Sequence, residues 1–151
     1  MAYLSGKNAA VKIGTSTVVG MGNWNISGIT ADRLETSAFG TQWKTFSLGM
    51  LDGGTITFSG LYSNSDTTGQ DVLKLANLND TQVTTLRLYI DNASYYVPCQ
   101  TSGYFDPNNT TAAGDSVLSH VKIESWSVVA DKGDMVKIDF TAKVSGCMVL
   151  V

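Results

Sequence analysis

Residues able to do acid–base, nucleophilic or metal chemistry are few in this sequence, and they are scattered. Its one histidine, His120, could act as general base for a nearby serine. No Gly-x-Ser-x-Gly elbow or comparable nucleophile context accompanies it, however. A polar position on a strand that also carries Lys122 and Glu124 explains it. Paired carboxylates have equally plain placements. Asp66 and Asp71 bracket the start of a helical segment, where the helix dipole and capping favour negative charge. Asp131 and Asp134 flank a hairpin turn. One histidine and two distant cysteines, Cys99 and Cys147, cannot build a standard zinc site. Without CxxC spacing the cysteines read as buried thiols, with a single disulfide as the alternative. Asp106-Pro107-Asn108-Asn109 offers oxygens but lacks the alternation and closing Glu of a calcium loop, so it reads as a turn. Gly20-Met21-Gly22 leads to Trp24 with no Lys-Ser/Thr and no helix, which is not a phosphate loop. No catalytic residue, cofactor or metal is expected.

The aromatic residues are the more informative set. Trp24, Trp126, Phe58 and Phe140 fall on alternating strand positions and read as core, the rival being a sugar-stacking platform. Residues 31–54 contain Leu34, Phe39, Trp43, Phe46, Leu48 and Met50, yet keep neither helical nor strand period for long. Loops longer than roughly 12–15 residues are uncommon in compact domains and are usually functional or disordered. A disordered linker would not carry so many exposed aromatics. Trp43 and Phe46 are therefore expected to bury against either a neighbouring subunit or their own domain.

The elements that must position these residues read mostly in period two. Val136, Ile138, Phe140, Ala142 and Val144 share one face of a strand, with Lys137, Asp139, Thr141 and Lys143 on the other. Ser116 to Ala130 pairs with it through the turn Asp131-Lys132-Gly133-Asp134. Further strands are expected from Ala10 past Gly14-Thr15 into Val19, from Trp24 to Thr30, from Thr55 to Tyr62 and from Val83 to Asp91, the last with Tyr95-Tyr96-Val97 as hairpin partner. Residues 68–78 break the pattern, placing Val72, Leu75 and Ala76 at helical spacing with Leu78 nearby. A helix of about ten residues is too short to stand alone and must dock on a sheet. Residues 100–115 read as a second long loop. The expected fold is mainly β: an antiparallel β-sandwich or partial barrel, one short flanking α-helix and a long inter-strand arm loop. A single domain over residues 1–151 is expected, with the arm at about 33–52.

Composition narrows the function classes. The 151 residues carry a net charge of −3, and charged residues make up 15% of the chain, against roughly 25% in ordinary soluble domains. Hydrophobic content of 43% supports a core and excludes disorder. No basic excess exists to neutralise the phosphates of a DNA duplex. The start lacks the basic and apolar regions of a secretion signal, and no run approaches the roughly 18 apolar residues of a membrane helix, so a cytoplasmic protein is expected.

The order of features then becomes informative. Trp24 is followed by Asp32, Glu35 and Thr36, then by Phe39-Gly40-Thr41-Gln42-Trp43-Lys44-Thr45-Phe46. Gly49, Asp52-Gly53-Gly54, the strand Ile56-Thr57-Phe58-Ser59-Gly60-Leu61-Tyr62 and a short helix come next. This order resembles the tail tube (major tail) proteins of long-tailed bacteriophages, related in fold to the type VI secretion tube protein. The resemblance implies a structural virion protein that forms hexameric rings stacked into a hollow tube, the conduit for DNA during ejection. It implies an arm reaching the adjacent ring, here about Arg33 to Asp52, with Leu34, Phe39, Trp43, Phe46 and Met50 as apolar contacts. It implies tape-measure and tail-terminator proteins as partners, and residence in the virion tail after assembly in the host cytoplasm. DNA would pass the lumen without specific binding. The alternatives are a head-decoration or other minor virion protein, and a carbohydrate-binding β-sandwich.

Overall fold

The structure, a computed structural model, describes residues 3–99, 119–146 and 148–151. After a short 3-10 turn (Gly6–Asn8) the chain forms β1 (Ala10–Ile13), β2 (Ser16–Thr17), β3 (Met21–Ser27), β4 (Thr30–Glu35), β5 (Phe46–Asp52) and β6 (Thr55–Leu61). Helix α1 (Gln70–Leu78) follows, then β7 (Leu86–Tyr89), β8 (Tyr95–Pro98), β9 (His120–Val129), β10 (Lys137–Ser145) and β11 (Met148–Leu150). The strands build a five-stranded sheet in the order β11-β8-β7-β1-β2, a four-stranded sheet in the order β3-β6-β10-β9, and a separate two-stranded sheet, β4-β5. The strand pairings are antiparallel, and no sheet among the described residues closes into a barrel. No helix among them is long and apolar enough to cross a membrane.

The alternation read from sequence places the core. Ile56 and Phe58 of β6, Ile138, Phe140, Ala142 and Val144 of β10, and Val121 and Ile123 of β9 are all buried. They face Val11 of β1 and Leu86 and Leu88 of β7 across the sandwich. Phe58 and Phe140 are register partners, and their rings stack at 5.1 Å between centroids. Trp24 ties the two sheets together: its indole N–H donates to the Tyr89 carbonyl at 3.0 Å, and its ring meets Tyr96 edge-on.

Three expectations change. The first strand does not run through to Val19: Gly14 takes a left-handed φ of +61°, and β2 folds back on β1 with Ile13 opposite Ser16. Trp126 is not core but 37% exposed, at the margin of the sandwich, with the Lys74 ammonium 5.8 Å from its ring centroid. Helix α1 also docks by another face. Gln70, Leu73 and Ala76 are buried, whereas Val72, Leu75 and Leu78 are 38%, 54% and 70% exposed. The segment carries two lines of residues three apart, and the docked line begins with a polar residue that hides it from a hydrophobic count. Gln70 satisfies its amide fully: its nitrogen donates to the carbonyls of Val19 and Leu61, and its oxygen accepts from Ser63 N–H. Asp66 caps the helix start, accepting from the backbone N–H groups of Gln70 and Val19.

The turn at Asp106 to Asn109, the loop 100–115, the beginning of the strand expected from Ser116 and Cys147 lie outside the described residues. Cys99 is buried.

Candidate subunit-contact surface

Residues 30–52 are not a loop without period but a β-hairpin. β4 and β5 pair Glu35 with Phe46, Leu34 with Ser47 and Arg33 with Leu48. A bulge between Ala31 and Arg33 shifts the register, and Gly49 interrupts the side-chain row. Apolar residues on both faces complete the disguise. A strand with no buried side cannot show clean alternation.

Threonines close the hairpin. Thr36 N–H donates to the Thr45 carbonyl at 2.8 Å, and the two hydroxyls lie 2.9 Å apart. Ser37 Oγ accepts from Thr45 N–H, and Thr41 donates to the Ala38 carbonyl, so the tip holding Phe39 and Trp43 is an ordered turn. At the root, Asp52 accepts from Gly54 N–H at 2.8 Å and from the Lys143 ammonium of β10. The Lys143 bond, with the Gly54 N–H second, holds the Asp52 carboxyl below its ordinary range. Gly54 sits at φ +90°, with Ser27 and Ile29 crowding the place where a side chain would be.

The residues singled out as arm contacts therefore share one element, and none joins the sandwich core. Leu34 is 56% exposed, Phe39 fully exposed, Trp43 82%, Phe46 48% and Met50 82%. Leu51, which the sequence did not single out, joins them, as does Leu48. The signal for Leu48 was the run Phe46-Leu48-Met50 at strand spacing. The Arg33 guanidinium covers the Phe46 ring at 4.8 Å, the one aromatic of the arm with a close cation. An exposed apolar surface of this kind on a slender hairpin is a candidate interaction site.

A second surface lies on the sandwich. The four-stranded sheet ends in β3 on one side and β9 on the other. Beside β3, a cleft of about 360 Å³ is lined by Leu4, Ala9, Trp24 and Ile90. The outward face of the sheet is a carpet of short polar side chains. In register across it lie Asn25, Thr57, Thr141 and Ser125, and one step along Asn23, Ser59, Asp139 and Ser127. Its lysines are each held by a carboxylate: Lys122 by Asp80, Lys137 by Asp134 and Lys143 by Asp52. The residues with chemical potential stay apart. His120 is half-buried and pairs with Ser145 on β10, and no group of three His, Cys, Asp or Glu side chains gathers among the described residues.

No family model and no curated protein matches this chain. Among solved structures, it superposes on a chain from the tail of an empty gene transfer agent particle, resolved with C6 symmetry, at a TM-score of 0.70 and 12% identity over 99% of both chains. It superposes on a chain from the anti-feeding prophage cap, which terminates that tube, at 0.57 and 14% over 100% of this chain and 92% of that one. A chain of the sheath–tube complex of an extracellular contractile injection system matches at 0.56 and 11%, over 99% and 91%. The fold is that of tail-tube proteins, as the sequence resemblance implies.

Proposed function

We propose that this chain is a structural, non-enzymatic protein of a phage-type virion tail, whose copies form hexameric rings stacked into a hollow tube. One observation carries the reading: the four-stranded sheet has an even number of alternating strands and ends in β3 on one side and β9 on the other, with β9 bridged by Val83 at Val121 and no strand paired along its Ser125–Val129 stretch among the described residues. β3, β6, β10 and β9 alternate in direction, so β9 of one copy and β3 of an equally oriented neighbour run antiparallel. Copies related by rotation alone can therefore continue this sheet around a closed ring, pairing β9 of each copy with β3 of the next. The cleft beside β3 receives whatever flanks the incoming β9. A neighbour of this fold assembled with C6 symmetry supports six as the number.

Stacking falls to the arm. A head-to-tail contact between unlike surfaces does not close and so propagates as a filament. The outward sheet face suits a channel wall, because Ser, Thr and Asn with neutralised lysines neither hold phosphates nor repel them strongly. DNA passes such a wall without specific binding. Tape-measure and terminator proteins are the partners at the lumen and the last ring, and the tube belongs to the virion after assembly in the host cytoplasm.

Negative-stain electron microscopy of the purified chain across a concentration series tests the reading. Rings or hollow tubes with a central channel are the expected result. A monomer at every concentration, with a tail initiator complex present as nucleus, refutes it.

A further inference from the structure

The two layers of the sandwich are offset: the covering layer overhangs the four-stranded sheet at its β3 edge and stops short along β9. We propose that the overhang of one copy covers the bare end of β9 of the next copy in the ring, with Trp126 and Val128 seated in the cleft beside Trp24. This rests on the ring reading above and names the side chains that hold neighbouring copies together.

The bare end of β9 points to the core side, not to solvent. Trp126 is the register partner of Phe140, and Val128 that of Ile138. Partners across an antiparallel pair share a face. Phe140 and Ile138 are buried, yet Trp126 is 37% exposed and Val128 41%. Earlier on the same face, Val121 and Ile123 are buried. There Val83 exchanges both backbone hydrogen bonds with Val121, and the Asn77 amide of helix α1 donates to the carbonyls of Ile123 and Glu124. Past Glu124 the cover gives out, and the Lys74 ammonium stands 5.8 Å from the Trp126 ring centroid.

The overhang lies at the opposite edge. From Val83, bridged to β9, the chain crosses the sheet to Tyr89, whose carbonyl accepts from the Trp24 indole on β3. Ile90 and the segment from Leu4 to Ala9 lie beyond it, and with Trp24 they line the cleft of about 360 Å³. No charged side chain lines that cleft, as suits the core of an interface.

Ring closure brings the two defects together. Side chains alternate along a strand, so β9 laid antiparallel on β3 in a continuous sheet sets Trp126 and Val128 on the side of Trp24 and Ile26. Trp24, Phe58, Phe140 and Trp126 already stand in one register row across each copy. Pairing in that register puts Trp126 beside Trp24 of the next copy, and a two-residue shift puts Val128 there. In both registers the overhang of one copy roofs the apolar pair that the other leaves bare.

Photo-crosslinking on assembled full-length chain tests the contact. Benzoylphenylalanine at position 128 of an isotopically light chain, mixed with heavy parent chain, should crosslink to heavy residues 3–9, Trp24 or Ile90. Assemblies whose crosslinks from position 128 reach the arm or helix α1 of another copy overturn the proposal and leave the ring reading intact. Failure of the parent chain to assemble with a tail initiator complex as nucleus overturns both. Two charge variants need no crosslink. V128E and V129E alter the same free stretch of β9, but Val129 partners Lys137 on the outward face of the sheet. Both should melt close to the parent chain. V128E should then need about tenfold more protein or greater to form rings, while V129E assembles at the parent concentration. Equal behaviour of the two variants refutes the docking.

Discussion

Replacing Trp43 and Phe46 together by serine separates what these residues do for one chain from what they do between chains. Trp43 is 82% exposed, so under a fifth of it is withdrawn from water, while Phe46 at 48% exposed buries about half. Full burial of a large apolar side chain is worth about 1.5–3 kcal/mol, which gives Trp43 about 0.5 kcal/mol and Phe46 about 1 kcal/mol. Loss of the Arg33–Phe46 contact adds about 0.5 kcal/mol. The intramolecular loss is then about 2 kcal/mol, and it falls on a separate two-stranded sheet, not on the sandwich core. For a chain of 151 residues each kcal/mol moves the melting point by about 2–4 °C, so the double variant should melt no more than about 8 °C low. Aromatic anchors at the centre of an interface cost about 2 kcal/mol or more each when truncated. Two of them per contact weaken stacking by about a thousandfold. Circular-dichroism melting reads the first quantity, and sedimentation with electron microscopy reads the second. A melting point lowered by about 15 °C or more, with tubes unchanged, would place both residues in the chain's own stability and refute the argument.

Other perturbations probe the body of the fold. Phe58→Ala removes a fully buried ring stacked on Phe140 and should cost about 3–5 kcal/mol by denaturant unfolding. Gln70→Leu is near in volume but strands the Val19 and Leu61 carbonyls and Ser63 N–H, so a loss of about 2–4 kcal/mol is expected in the same assay. The carboxyls of Asp52, Asp91 and Asp134 are all held below the ordinary value of 3.8, by Lys143, by Ser94 and Ala93 N–H, and by Met135 N–H with Lys137 respectively. Such groups stabilise the folded chain above their unfolded value and lose that contribution as pH falls through the lowered one. A pH series of melting points should therefore be flat near neutrality and fall below about pH 4, with a shallower fall in Asp52→Asn.

How much of this was legible depended on whether a segment buries one face. β10 read cleanly because Ile138, Phe140, Ala142 and Val144 are buried and their neighbours face out. β4 and β5 did not, because a hairpin exposed on both sides has no reason to alternate, and the bulge at Gly49-Met50, opposite Asp32, breaks such period as exists. The helix was visible, but its docked face was not, since Gln70 contributes amide hydrogen bonds where periodicity counts apolar residues. Trp126 misled for a related reason: strand periodicity gives the side of a sheet and says nothing of where the covering sheet stops. What drew the arm residues together in the sequence was aromatics without a core to join, and in the structure they lie exposed on one hairpin. Leu51 was absent from that group because residue type alone does not separate it from core leucines.

The joint between arm and sandwich carries one more consequence. Residues 30–52 leave and return through glycine turns at Gly28 and Gly53-Gly54, and the Lys143–Asp52 pair is the charged link to β10. The hairpin lends no side chain to the core. Its sequence is therefore free to diverge without disturbing the sandwich core, so two tube proteins could share one body and differ in which copies they accept. Exchanging this insert as a cassette should transfer assembly compatibility from one chain to another.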